Sequence, residues 1–75
     1  MVNRTNAGTQ IHVRFEGRSF DVPFDKIDVG QFSDDNRIKR AVAGYLEIAE
    51  ARLRDYVIDR HETGNLTLRP EAVFG

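Results

Sequence analysis

The chain has 75 residues, no cysteine, two histidines and a formal net charge of −1 from eleven basic and twelve acidic side chains. That length allows one small domain, near the size at which a single core only just offsets the entropy of ordering the chain, and without cysteine neither a disulfide framework nor a thiolate metal site can brace it. The charge balance removes the simplest electrostatic case for binding nucleic acid or an anionic membrane. No stretch approaches the roughly 20 apolar residues of a membrane helix, and the opening MVNRTNAGTQ lacks the apolar run of a secretory signal, so a cytoplasmic protein is expected.

The first ten residues are polar and without period, and read as a flexible N-terminal arm ahead of a single domain over 11–75. From Ile11 to Phe15 apolar residues (Ile11, Val13, Phe15) alternate with polar ones, and from Phe20 to Phe24 they do so again (Phe20, Val22, Phe24). Two half-buried strands follow from that period of two. Between them EGRS supplies Gly17, which can take the positive φ of a tight turn, so the pair reads as a hairpin. Pro23 has no N–H to give a ladder and belongs near the end of an edge segment. DKIDVGQ then connects to a helix.

FSDDN signals the helix start, with Ser33 as the expected cap and Asp34 and Asp35 in the first turn, where the dipole favours negative charge. Ile38, Val42, Tyr45 and Leu46 form one apolar stripe, and Ala49, Leu53 and Tyr56 prolong it, leaving the helix end open between about 46 and 56. DYVIDRHETGNLTLRP reads as a second hairpin, with strands near 55–60 and 65–69 and Gly64 suited to the turn. The order is ββαββ, an α+β fold of two layers, one amphipathic helix on a sheet.

Few constellations carry chemistry. Ser19 and Ser33 have no base beside them, and His12 and His61 lack metal-ligand spacing, so neither an enzyme nor a metal site is expected. Asp25 with Asp28, and Asp34 with Asp35, fit capping and solvation better than a calcium loop, and the glycines form no phosphate-binding fingerprint. No cofactor is implied. Nine of the eleven basic residues are arginines, only Lys26 and Lys39 being lysines, and alternation suggests that Arg14, Arg18, Arg60 and Arg69 share the outer face of the sheet. There they would offer forked donors to carboxylates of a protein partner, or be neutralised by Glu16, Asp21 and Asp59 in cross-strand pairs. Val73 and Phe74 follow the last strand as apolar residues outside any element, free to pack on the domain or to dock on another protein.

The stretch IHVRFEGRSFDVPF, followed by a helix and a second strand pair, resembles the opening of the ubiquitin-like β-grasp proteins, a likeness of element order and apolar pattern. The resemblance implies a non-catalytic protein-interaction module of β-grasp fold; the residues expected to bind another protein or a second copy are Arg14, Arg18, Arg60 and Arg69 with Phe74, and neither nucleic acid nor a membrane is expected as a partner. As an alternative it implies a modifier or sulfur carrier whose terminal Gly75 an activating enzyme adenylates, although Phe74 stands where such tails usually have a second glycine. A small structural or regulatory subunit of a complex is a further alternative.

Overall fold

The computed structural model describes residues 10–71. Residues 1–9 of the expected arm 1–10, and the tail with Val73, Phe74 and Gly75, lie outside them. The first hairpin joins β1 (Gln10–Phe15) to β2 (Arg18–Pro23), pairing Ile11 with Val22 and Phe15 with Arg18. Its two-residue loop has φ of 53° at Glu16 and 79° at Gly17, the pattern of a type I′ turn, whose twist matches that of the strands it joins. Pro23 closes β2 at the edge of the sheet, where its missing N–H costs nothing.

The connection holds one helical turn, α1 (Phe24–Ile27). Phe24, expected as the end of a strand, is its first residue and is buried. α2 (Asp35–Leu46) follows, and its cap is Asp34 rather than Ser33, with Asp34 Oδ1 accepting from the Arg37 N–H at 2.8 Å. Ser33 turns back instead to accept from the Gly30 N–H at 3.0 Å. Of the expected stripe Ile38 and Val42 are fully buried and Leu46 partly so, while Ala43 takes the inward place expected for Tyr45, which is 48% exposed.

The helix stops at Leu46. Glu47 adopts a left-handed conformation (φ 61°), the Ile48 N–H donates to Ala43 O at 2.9 Å and the Glu47 N–H to Gly44 O at 3.2 Å. These two bonds make a Schellman motif, which satisfies carbonyls the helix end would leave bare. Ala49, Leu53 and Tyr56 therefore do not prolong the helix: Ala49 is exposed, Leu53 is buried on a 3₁₀ turn (Glu50–Leu53), and Tyr56 opens a strand. Lys39 Nζ donates to Arg54 O at 3.1 Å and fastens the end of that turn to α2.

β3 (Tyr56–Arg60) and β4 (Leu66–Pro70) form the second hairpin, with Gly64 at φ 95° in its loop. The four strands lie in the order β2-β1-β4-β3, with β1 and β4 parallel at the centre. This is a β-grasp-like sheet, mixed and covered on one face by α2. Ile11, Val13 and Phe15 of β1 and Leu66 and Leu68 of β4 point under the helix and meet Ile38, Val42, Ala43 and Leu53 in one core. At the hairpin end Phe15 packs against Tyr56, ring centroids 6.0 Å apart, and the Arg52 guanidinium lies 5.2 Å over the Phe15 ring while bonding Glu16. No helix among the described residues is long and apolar enough to cross a membrane.

Two substitutions test this architecture. Val42→Asp sets an unpaired charge at a fully buried site and is expected to cost several kcal/mol, abolishing the cooperative urea transition of so small a domain. Glu47→Gly relieves the left-handed strain at the helix end and is expected to raise the unfolding free energy by about 1 kcal/mol, read from the shift in the urea midpoint.

Candidate functional site

Side chains alternate along a strand, so the inward core residues determine which residues stand on the uncovered face. Arg14 is the next residue beyond Val13 and Arg69 the next beyond Leu68, and Val13 and Leu68 are register partners of β1 and β4. The two arginines therefore stand side by side on the outer face. Ser19 pairs with Arg14 from β2, and Val57 pairs with Arg69 from β3. The next row runs Asp21, His12, Thr67, Asp59 across the four strands.

Opposite charges in that row and the first are connected. Arg69 Nε donates to Asp59 Oδ2 at 2.6 Å and Nη2 to Oδ1 at 3.4 Å, a two-pronged bond diagonal across β3 and β4. The guanidinium holds the Asp59 carboxyl below the usual carboxylate range, and Asp59 in turn raises the Arg69 pKa. His12 Nδ1 donates to Asp21 Oδ1 at 2.6 Å, and His61 Nε2 lies 2.9 Å from Thr67 Oγ1. A hollow of about 220 Å³ opens at this end between His12, Asp21, His61 and Thr67. Among the described residues no three His, Cys, Asp or Glu are placed to hold a metal ion.

The face is consequently polarised. At the hairpin end stand Arg14, exposed and without an ion-pair partner among the described residues, and Arg69, already engaged. The carboxylates and imidazoles lie at the other end. Arg14 stands between Ser19 on β2 and Arg69 on β4, with Val57 beyond Arg69 on β3.

Two expected members are elsewhere. Arg18 is in phase with Phe20 and Val22 and pairs with the inward Phe15, so it edges the helix side of the sheet beside Tyr45. Arg60 is in phase with Tyr56 and Ile58 and pairs with the buried Leu66. It reaches over to the connection before α2, donating to Gln31 O, Ser33 O and Asp35 Oδ1. Its role is to fasten that connection. Of the expected neutralising acids, Asp59 pairs with Arg69, while Asp21 takes His12 and Glu16 takes Arg52. Phe74 and Gly75 lie outside the described residues. The row through His12 and Thr67 was missed as a unit because its members come from strands distant in sequence, although each shows the outward phase.

The Asp59–Arg69 pair gives a pH prediction. A carboxyl held below its unfolded pKa contributes stability that is present above that unfolded value, near 4, and is lost as pH falls through the lower folded value. Both side chains are partly exposed, 43% and 37%, so the effect is small and screened by salt. Asp59→Asn is expected to lower stability slightly at pH 7 and to converge with the parent in acid, so that the limb of the stability–pH curve below about pH 4 is flattened by the same small amount, as read by urea titrations at each pH. No protein-family model, curated protein or solved structure matches the chain.

Proposed function

We propose that the chain is a ubiquitin-like interaction module, without catalysis of its own, that docks a protein partner on the uncovered face of its sheet at Arg14 and Arg69. The observation that carries this reading is the pairing asymmetry on that face: two adjacent guanidiniums, one held by Asp59 and one without an ion-pair partner among the described residues. Arg14, with Arg69 beside it and Val57 on the far side of Arg69, suits a carboxylate next to an aliphatic or aromatic group. Asp59 fixes the Arg69 head, so a ligand meeting this row finds one rigid cation and one adjustable one. Arg18 and Arg60, turned to other surfaces, take no part in this contact.

The experiment is charge reversal at both positions. Arg14→Glu with Arg69→Glu is expected to leave the melting temperature within a few degrees, since both side chains stand outside the core, and to weaken binding to the partner recovered by affinity capture at least about tenfold, the loss of a charge-assisted contact. Unchanged affinity in isothermal titration with that purified partner would overturn the assignment of this face.

A further inference from the structure

Two imidazoles stand at the end of the uncovered face away from the first hairpin turn. His12 holds Asp21 through Nδ1 at 2.6 Å, and His61 Nε2 lies 2.9 Å from Thr67 Oγ1. Both rings line the hollow of about 220 Å³ at that end, with Asp21, Thr63, Asn65 and Thr67. The His12 side chain is 41% exposed, and His61 is exposed. On its own strand His12 has Gln10 and Arg14 as outward neighbours. From β2 it faces Asp21 and from β4 Thr67, with Asp59 beyond Thr67 on β3. Asp59 is taken by Arg69, and Glu62, which follows His61, does not line the hollow.

The charge of the hollow reverses with pH. With neutral imidazoles, Asp21 is the one charged group among its described lining residues, a net −1. Imidazoles change charge between about pH 5 and 8, whereas carboxylates do so near pH 4. Protonating both rings while Asp21 stays ionised sets two positive charges against one negative, a net +1. His12 takes its proton on Nε2, because Nδ1 already donates to Asp21, and that bond becomes charged at both ends rather than being lost. The imidazole end then attracts a carboxylate that it repels at neutral pH.

We propose that the uncovered face carries a second, acid-dependent carboxylate subsite at His12 and His61. This subsite rests on the reading of Arg14 as the docking point for a partner's carboxylate, and it specifies that partner further. Arg14 and His12 are two residues apart on β1, about 7 Å between Cα atoms in a strand. An extended peptide carries the side chains of residues i and i+2 on one face at the same separation. The partner segment is therefore an extended acidic one with carboxylates at alternate positions, the first on Arg14 and the second over the hollow. Near neutral pH the first contact acts alone. In mild acid both are made, and the segment is held more tightly.

Nuclear magnetic resonance titration of the full chain with two peptides, acetyl-Asp-Val-Asp-amide and acetyl-Asp-Val-Asn-amide, tests the subsite. The diacid is expected to gain at least about tenfold in affinity from about pH 7.5 to about pH 5.5, as an added charge-assisted contact does, and the monoacid to gain far less. His12→Gln with His61→Gln is expected to remove that gain. Both side chains stand outside the core, so the double variant should melt as the parent does. Arg14→Glu is expected to weaken the diacid at both pH values. Amide shifts at His12, Asp21 and Thr67 that the diacid produces only at the lower pH give a reading without mutation. Diacid binding at Arg14 with equal affinity at the two pH values, or an acid gain that survives the double variant, overturns the subsite and leaves the Arg14 contact standing. Failure of both peptides to shift Arg14 at either pH overturns the docking face and the subsite with it.

Discussion

Ile38, Val42 and Ala43 press from α2 onto Ile11, Val13, Val22, Leu66 and Leu68, and with Leu53 and Phe15 they make one continuous apolar contact between helix and sheet. A chain of this length has no second core to fall back on, and without cysteine no covalent brace replaces it. Every other arrangement in the molecule follows from holding that contact. The inward phase of β1 and β4 puts Arg14 and Arg69 outward, and the seating of α2 places its N-terminal connection within reach of Arg60.

Polar side chains then act as fasteners for segments the core does not reach. Arg60 holds the connection before α2, Arg52 spans Glu16 and the Phe15 ring at the hairpin end, and Lys39 secures the end of the 3₁₀ turn. Exposed pairs of this kind contribute little individually to stability. Their value lies in geometry, since each selects one placement of a loop that apolar packing alone leaves undetermined. The uncovered sheet face and the connection before α2 are the two surfaces that such fasteners keep in shape.

The strands and their hairpins were legible because their evidence is local: the alternation of Ile11, Val13 and Phe15, the glycine at position 17, the run Leu66, Thr67, Leu68. The helix end was not, because the residue in the left-handed position is Glu47, and nothing in its chemistry marks a stop as glycine would. Leu53 kept the helical spacing yet reached the core from a separate turn, a tertiary outcome that periodicity cannot distinguish from a longer helix. Arg18 and Arg60 could have been placed correctly, since each shares the phase of inward neighbours on its own strand. What the pattern lacked was the register between strands, which alone brings Arg14 beside Arg69 and exposes the polar row through His12 and Thr67.

The central place of β4 has a kinetic consequence. β1 must wait for a strand that begins at Leu66, so its second neighbour arrives only after the whole intervening chain has been threaded past it. Closing so long a loop is slow relative to forming either hairpin or the helix. Until β4 inserts, the molecule has two half-sheets, each with an apolar strand edge open to pairing with another chain. The rate of β4 insertion, more than the final stability of the sheet, therefore governs how much of a concentrated refolding solution reaches the native state and how much is lost to aggregation.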